Sequence, residues 1–281
     1  MERPLSRVDE PGPVALVGLL CRTAERSAAP AQGLEQLAAL AGKRLGLEPR
    51  LIGSPAEQPA PAPYERDLAD SRGCLLEAGG QLEDALGGAR IPVLLAGDSA
   101  IALTTVPTLA RVRPDVKVLY LDSRGDYATP ATGEDYLGAM ALSGACGEWD
   151  PGLGAQPIDP ARVVLCGVAD LGEDERELLE RSAATVIGSS LETLVFTQNA
   201  LDAAPVFVHL DLEVLNAIEP DKLFDLLEVV TADCDLVGLE LAGFEAPADE
   251  LERQAAASAV LHVLDPLLDA VTRAAAAQAS H

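Results

Sequence analysis

Short apolar runs alternate with longer stretches of helical periodicity along most of this chain. An apolar run of four to eight residues between Gly or Pro is typical of a strand buried on both faces, whereas apolar residues three and four positions apart predict an amphipathic helix. The runs predict strands at 13–20, 45–52, 91–95, 116–121, 162–167, 185–187, 206–212 and 236–241. The periodic stretches predict one helix that ends at Gly42 and others at 64–86, 101–112, 173–181, 191–201, 220–230 and from 248 to the C-terminus.

Alternation of strands with helices is typical of a parallel sheet whose two faces are both covered. We therefore predict an α/β fold with three layers, α/β/α, around a mostly parallel sheet of about eight strands. The Pro/Ala-rich stretch 54–63 is predicted to be a surface loop. Because we find no internal repeat and no long linker, we expect residues 1–281 to form a single domain.

Charge and cysteine usage narrow the function classes. With 45 Asp+Glu against 20 Lys+Arg, the formal charge of −25 argues against binding nucleic acid or an anionic membrane surface and is compatible with a cationic small molecule. The five cysteines lie far apart without metal-ligand spacing, which predicts reduced thiols in a cytoplasmic protein. Residues 1–13 lack an apolar signal core and no apolar run approaches about 18 residues, so we expect a soluble protein.

Polar segments that contain acidic residues follow three of the predicted strands. The carboxyl ends of parallel strands meet along one edge of the sheet, where open α/β folds place their sites. Asp211 and Glu213 are two positions apart, so their side chains should point the same way. A cluster of carboxylates suits either a hard divalent cation or a cationic side chain. The three segments are Gly97-Asp98-Ser99, Asp122-Ser123-Arg124-Gly125-Asp126 and His209-Leu210-Asp211-Leu212-Glu213.

In order, spacing and strand context, these segments resemble the motifs of the arginase/agmatinase (ureohydrolase) family. The family's Gly-Gly-Asp-His-Ser motif stands here as Ala96-Gly97-Asp98-Ser99-Ala100, and its Asp-Ala-His-x-Asp motif as Asp122 to Asp126. Its Ser-x-Asp-x-Asp-x-x-Asp-Pro motif stands as His209 to Ala217. The resemblance implies an arginase/deacetylase-like fold. It also implies a site in which four aspartates and two histidines hold two manganese ions, whose bridging hydroxide attacks a guanidinium carbon.

The chain departs from the family pattern at both metal-binding histidines. Ser99 and Arg124 replace them, while Glu213 replaces one of the four aspartates. The other aspartate ligands correspond to Asp122, Asp126 and Asp211.

Two further family residues are also missing. The His-Gly-x-Pro segment, whose histidine assists catalysis, corresponds to Leu137-Gly138-Ala139-Met140. The glutamate of the family's late Asp-x-x-Glu-x-Asn-Pro segment corresponds to Gly243, and Glu245 is the residue that could act in its place.

Arg124 carries a fixed positive charge that cannot bind a metal and would repel one. At about 4 Å and an effective dielectric near 20, one such contact costs on the order of 4 kcal/mol per unit charge. A guanidinium can instead bind the neighbouring carboxylates directly. We therefore expect no metal cofactor, and the alternative is a single manganese ion on Asp126, Asp211 and Glu213.

Our leading functional hypothesis is an arginase-like pseudoenzyme with a binding, regulatory or assembly role. Its partner would be a cationic small molecule or a catalytic relative, and the resemblance implies a homo-oligomer, a trimer or hexamer. The alternative is an active hydrolase of a guanidino or amide C–N bond, metal-dependent or remodelled, with Asp126, Glu213 or Glu245 as the catalytic group.

A third hypothesis makes Ser99 a nucleophile on its strand-turn-helix. That chemistry requires a histidine base, and the histidines are His209, His262 and His281. We expect His262 to be packed within its helix, and His209 to be structural or to approach the site.

Overall fold

The computed structural model describes residues 12–169 and 171–278. Its strands are β1 (Val14–Leu19), β2 (Arg50–Ile52), β3 (Ile91–Leu95), β4 (Lys117–Leu121), β5 (Val163–Val168), β6 (Thr185–Gly188), β7 (Val206–Asp211) and β8 (Leu236–Ala242). Its α-helices are α1 (Ala29–Leu45), α2 (Tyr64–Gly87), α3 (Ala102–Val112), α4 (Ala141–Cys146), α5 (Glu173–Arg181), α6 (Thr193–Leu201), α7 (Pro220–Asp233), α8 (Glu250–Val263) and α9 (Asp265–Gln278). The N-terminal segment 1–11 and His281 lie outside the described residues.

All eight strands form one parallel sheet in the order β2-β1-β3-β8-β7-β4-β5-β6. Helices α1, α6, α7, α8 and α9 pack apolar side chains on one face, and α2 to α5 pack on the other. The predicted three-layer α/β/α fold is therefore confirmed. The strands are largely apolar because both faces of the sheet are covered, as in parallel sheets generally.

Two predicted elements differ from the structure. The second strand is only Arg50–Ile52, because α1 continues to Leu45 and ends at Gly46 in the left-handed conformation (φ 71°). The prediction of a single closing helix from residue 248 is wrong. The segment forms two helices, α8 and α9, which meet at a bend of 59°. The bend lies just before Pro266, whose ring disfavours a continuous helix. Among the described residues, no single helix is long and apolar enough to cross a bilayer. Only the bent pair α8 and α9, taken together, has the length and apolar composition of a membrane span.

The side chain of His262, predicted to be packed, is 78% exposed. The prediction failed because the apolar run that holds His262 turns one helix face outward, where the ring lies beside Phe224 and Asp265.

A disulfide joins Cys21 to Cys74, which contradicts the prediction that all five thiols are reduced. It ties the loop after β1 to α2, with the two Cα atoms 5.8 Å apart. The pairing spans 53 residues, so the sequence carries no spacing signal for it, and only the tertiary fold brings the two thiols together. The other cysteines, Cys146, Cys166 and Cys234, are buried and free.

Candidate functional site

The strands that carry the predicted site residues are adjacent in the sheet. Their register aligns the carboxyl ends of β3, β8, β7 and β4, with Leu95 beside Leu241, Leu241 beside Leu210, and Leu210 beside Leu121. The residues that follow these strands therefore meet at one edge of the sheet. The site lies in the crevice at this edge.

An aspartate at each of three strand ends accepts a hydrogen bond from the backbone N–H two residues further on. These contacts fix each carboxylate in its turn and leave its other oxygen free to meet a neighbouring strand end. The pairs are Ala100 N to Asp98 Oδ1 (2.9 Å), Arg124 N to Asp122 Oδ1 (2.9 Å) and Glu213 N to Asp211 Oδ1 (2.8 Å).

We call Asp122, Asp211 and Glu213 the acid group, because one carboxylate oxygen from each lies within 4.8 Å of the others. Burial raises the pKa of Asp122 well above its usual range, and the charges of Asp126 and Asp211 raise it further. Burial also raises the pKa of Glu213 against the effect of Arg124. Ionisation of Asp122 and Glu213 beside each other is therefore favoured by a nearby cation.

Arg124 supplies one such charge from the side of the acid group. Its Nη2 lies 2.9 Å from Glu213 Oε2, while its Nε is buried without a hydrogen-bond partner among the described residues. Burial lowers the pKa of Arg124, but Asp126 and Glu213 outweigh this effect and the pKa is raised overall. The side chain is 39% exposed, so it has room to move away from Glu213.

Asp126 lies beside the acid group rather than in it. We predicted that a single ion would be held by Asp126, Asp211 and Glu213, whereas in the structure Asp122 takes the place of Asp126 in the converging set. Its backbone is left-handed (φ 48°), a conformation that Asp tolerates better than most residues. Tyr120 Oη donates to Asp126 Oδ2 at 2.7 Å, and Oδ1 is buried without a partner in the described part of the chain. Burial raises the pKa of Asp126 to about 7, although Arg124 opposes the shift.

Beneath the acid group, Tyr120, His209 and Glu240 form a row across three neighbouring strands. The register pairs Tyr120 with His209 and His209 with Glu240. The Tyr120 and His209 rings stack with centroids 3.9 Å apart, and His209 Nδ1 lies 2.7 Å from Glu240 Oε1. Thr105 Oγ1 from α3 also donates to Glu240 Oε1. Sequence reasoning missed Glu240 and Tyr120, because their role depends on the order of the strands.

Ser99 connects this row to the acid group. Its Oγ lies 2.5 Å from Asp211 Oδ2, to which it donates, and 3.3 Å from His209 Nε2. The base required by the serine-nucleophile hypothesis is therefore nearby. However, the shorter contact is to Asp211 and the residue is only 4% exposed, so the geometry makes Ser99 a donor that orients Asp211.

The segment that replaces the family's His-Gly-x-Pro closes over Asp98. Leu137 is fully buried, so its side chain packs in the core and offers no polar group to the site. Tyr136 Oη instead donates to Asp98 Oδ2, and Gly138 packs against Asp98 Oδ1. Burial raises the pKa of Asp98 well above its usual range against the effect of Tyr136, and the nearby carboxylate of Glu25 raises it further.

The loop after β8 holds Gly243 and Glu245. Gly243 has φ 71° and packs so closely that a Cβ there would lie 2.2 Å from Asp211 Oδ1. A larger residue at this position would displace Asp211. Glu245 is exposed at the rim, where Ser27 Oγ donates to its Oε2 at 3.3 Å, and its charge contributes to the raised pKa of Glu213.

The residues fit one divalent cation better than two. The acid group offers only oxygen ligands, which suit hard ions such as Mg²⁺, Mn²⁺ and Ca²⁺. The buried Oδ1 of Asp126, which has no hydrogen-bond partner among the described residues, is a further polar atom beside the site. A second ion would have to lie against the guanidinium of Arg124, which cannot bind it.

Sequence comparisons place this architecture among known proteins. The family model described as the Arginase family matches residues 66–219. The chain is also 34% identical over 262 residues to the N(omega)-hydroxy-L-arginine amidinohydrolase of Streptomyces lavendulae, a match that covers 89% of this chain and 95% of that protein.

Solved structures share the fold at lower sequence identity. An arginase from Bacillus subtilis superposes with a TM-score of 0.76 at 19% identity, covering 91% of this chain and 98% of that chain. The Entamoeba histolytica arginase in complex with L-ornithine superposes with a TM-score of 0.77 at 13% identity, covering 90% and 97%. With the family match and the relative of similar length, these likenesses lead to one conclusion: this chain belongs to the arginase family.

Proposed function

We propose that this protein hydrolyses the C–N bond of a linear amidine, such as a guanidino compound, with one divalent cation on Asp122, Asp211 and Glu213. The observation that carries the proposal is the convergence of these three carboxylates within 4.8 Å. The 34% identity with an amidinohydrolase over 89% of the chain supports an active enzyme. The proposal therefore favours the alternative that we derived from the sequence over the pseudoenzyme.

The chain's own groups divide the work in this proposal. A bound dication would supply a Lewis acid that makes water nucleophilic near neutral pH. The buried carboxylates attract the positively charged amidinium carbon to the same crevice. Asp126, with its pKa raised to about 7, is suited to accept a proton from the attacking water and return it to the departing amine. Water adds to carbon, the C–N bond breaks, and the amine leaves with that proton.

Metal titration combined with an assay of released amine tests the proposal. The protein is purified without chelator, analysed for bound metal and titrated with Mn²⁺ by calorimetry. Guanidino compounds are then screened for release of urea. We expect one ion per chain and turnover that Asp211→Asn abolishes, while Asp84→Asn, on the exposed face of α2, leaves both unchanged. Absence of both metal binding and turnover would contradict the proposal.

A second candidate function is a metal-free binding protein, the pseudoenzyme of our sequence analysis. The observation that favours it is the ion pair between Arg124 and Glu213, because a resident guanidinium can neutralise the acid group without a metal. Its ligand would be a cationic small molecule, and its assembly with copies of itself or with a catalytic relative belongs to the same proposal.

Arg124→Ala separates the two candidates. If Arg124 is the cation that neutralises the acid group, its loss leaves the acid group without a positive charge. The variant then loses folding stability unless a divalent ion binds in place of the guanidinium. If Arg124 only covers an ion site, the variant keeps its stability and binds Mn²⁺ at least about tenfold more tightly, because a repulsive charge is gone. Arg176→Ala, an exposed residue of α5, serves as the control for loss of one positive charge.

A further inference from the structure

One disulfide ties the loop between β1 and α1, residues 20–28, to the neighbouring helix α2. Cys21 of this β1–α1 loop is bonded to Cys74 of α2, and part of the Cys21 surface is exposed. The other three cysteines of the chain are buried and free, so a reducing agent can break only this cross-link. A covalent bond between residues 53 positions apart restricts both segments for as long as it is intact.

The noncovalent contacts between the loop and α2 are weaker. Arg22 pairs with Asp67 and Asp70 of α2. Arg22 Nε and Asp67 Oδ2 are buried without a hydrogen-bond partner among the described residues, and burial raises the pKa of Asp67 although Arg22 opposes the shift. A buried ion pair with incomplete hydrogen bonding offsets little of its own desolvation cost. The disulfide is therefore the main connection between the loop and α2.

Glu25, four residues after Cys21, makes the contact between this loop and the next strand end. The residue is 6% exposed, and its carboxylate accepts hydrogen bonds from Thr23 N at 2.8 Å and from Thr23 Oγ1 at 2.7 Å. It packs so closely on Gly97 that a Cβ there would lie 2.0 Å from Glu25 Oε1. Movement of the loop would therefore remove a close contact from the turn that begins at Gly97.

That turn, residues 97–99, belongs to the candidate site, and we call it the site turn. Its last residue, Ser99, donates to Asp211 of the acid group. Burial raises the pKa of Glu25, and the nearby charge of Glu25 contributes to the raised pKa of Asp98. Burial of two carboxyl groups near each other costs free energy, so other bonds must hold the loop on the site turn.

We infer that the Cys21–Cys74 pair is a redox switch that controls the arrangement of the acid group. In the oxidised protein the bond holds the β1–α1 loop against α2, so that Glu25 stays packed on the site turn. In the reduced protein the loop leaves the site turn, and Asp211 loses its fixed orientation. The inference rests on the proposed function only for its effect on cation binding and turnover, because the change in the site turn requires neither.

The reductant is a dithiol, either a small molecule or a protein. One of its thiolates attacks a sulfur of the disulfide, the S–S bond breaks, and a mixed disulfide forms. The second thiol of the reductant then displaces the protein sulfur. Two electrons and two protons pass to Cys21 and Cys74, which become thiols, while the dithiol becomes a disulfide. Exchange with an oxidised dithiol reverses the reaction.

Hydrogen–deuterium exchange of the oxidised and reduced protein tests the inference without a ligand. Thiol counts in denaturant define the two states, with three free thiols before treatment with dithiothreitol and five after it. Reduction should speed amide exchange by about tenfold or more in the β1–α1 loop and the site turn. Exchange in α7, on the opposite face of the sheet from α2, should not change.

Three variants identify the path from the disulfide to the site turn. Cys21→Ser/Cys74→Ser should exchange like the reduced wild type, with or without dithiothreitol. Glu25→Ala keeps the disulfide but removes the contact with Gly97, so the site turn should exchange faster in the oxidised protein. Glu35→Ala, which removes an exposed carboxylate of α1, serves as the control and should exchange like the wild type.

Mn²⁺ calorimetry and urea release connect the switch to the proposed function. The reduced protein should bind Mn²⁺ about tenfold more weakly than the oxidised protein. A site turn that responds to reduction, in a protein that neither binds Mn²⁺ nor releases urea, supports the switch and contradicts the hydrolase. Urea release with equal Mn²⁺ affinity in both states supports the hydrolase and overturns the switch.

Three other results would also overturn the switch. The first is a site turn whose exchange does not change on reduction. The second is faster exchange throughout α7 as well, which would mean that reduction unfolds the whole chain. The third is a purified protein with five free thiols before any reductant is added.

Discussion

His209 Nδ1 lies 2.7 Å from Glu240 Oε1, and both side chains are completely buried. The pair stands one row below the acid group on β7 and β8, and Ser99 connects it to Asp211. The carboxylate of Glu240 holds the imidazole ring by its Nδ1, so the other ring nitrogen faces Ser99. The orientation of Asp211 therefore depends on a carboxylate that belongs to no metal-ligand motif.

Glu240→Gln should lower both stability and cation affinity. The amide keeps the volume but removes the negative charge next to His209, and loss of such a buried charged hydrogen bond costs about 2–3 kcal/mol. Because Asp211 loses its fixed geometry, Mn²⁺ binding should weaken as well. Urea unfolding and Mn²⁺ calorimetry measure the two effects.

Thr105→Val provides a milder change for comparison with Glu240→Gln. It removes only the neutral hydroxyl that donates to Glu240 Oε1. Its cost should be about 1 kcal/mol. A Glu240→Gln variant as stable as wild type would show that the carboxylate does not hold the ring.

The sequence predicts the fold more completely than the site, for reasons visible in particular residues. Strands such as 13–20 and 91–95 are continuous apolar runs, so their position follows from composition alone. Asp122 directly follows β4 and Asp211 is the last residue of β7, and the strand-end rule predicts that they meet. Glu240 lies inside an apolar strand, and its pairing with His209 requires the order of strands in the sheet.

Local backbone geometry accounts for the remaining differences. Asp126 adopts φ 48° two residues after Arg124, which turns its carboxylate toward Tyr120 and away from the acid group. No periodicity in the sequence signals that turn. The contact of Arg26 with Tyr136 and the Cys21–Cys74 disulfide join segments more than 50 residues apart, so they too depend on tertiary structure.

Gly243→Ala should abolish cation binding, because the new Cβ would lie 2.2 Å from Asp211 Oδ1. Gly46→Ala is a matched control: Gly46 has the same φ of 71°, but a Cβ added there would have no atom within 4 Å among the described residues. In both variants the alanine must adopt a left-handed backbone conformation, which lowers the free energy of unfolding by about 1 kcal/mol. Only Gly243→Ala should lose roughly a further 1–3 kcal/mol of unfolding free energy, because its new Cβ displaces the Asp211 side chain. Equal unfolding free energies and equal Mn²⁺ affinities would contradict this.

In the metal-free protein, the free energy of unfolding should decrease as pH rises, and Asp98→Asn should make this decrease smaller. Burial and Glu25 raise the pKa of Asp98, so the folded state keeps a proton that the unfolded chain releases above about pH 4. The wild type therefore loses stability as pH rises from about 4 through the raised pKa of the folded state. Asparagine cannot ionise, so that contribution disappears.

Urea unfolding between pH 5 and pH 9 measures this slope. Asp122 and Asp126 also have raised pKa values and contribute in the same direction, so the slope should shrink without vanishing. Asp84→Asn on the surface of α2 should keep the wild-type slope. An unchanged slope in Asp98→Asn would show that Asp98 is already ionised in the folded protein.

The Cys21–Cys74 disulfide should stabilise the protein by about 4 kcal/mol, the chain-entropy value for a loop closed across 53 residues. The double variant Cys21→Ser/Cys74→Ser should unfold at correspondingly lower urea. A reducing agent should lower the wild-type midpoint toward that of the variant and leave the variant itself unchanged. A wild-type midpoint that does not respond to reductant would mean that the two thiols are unpaired in solution.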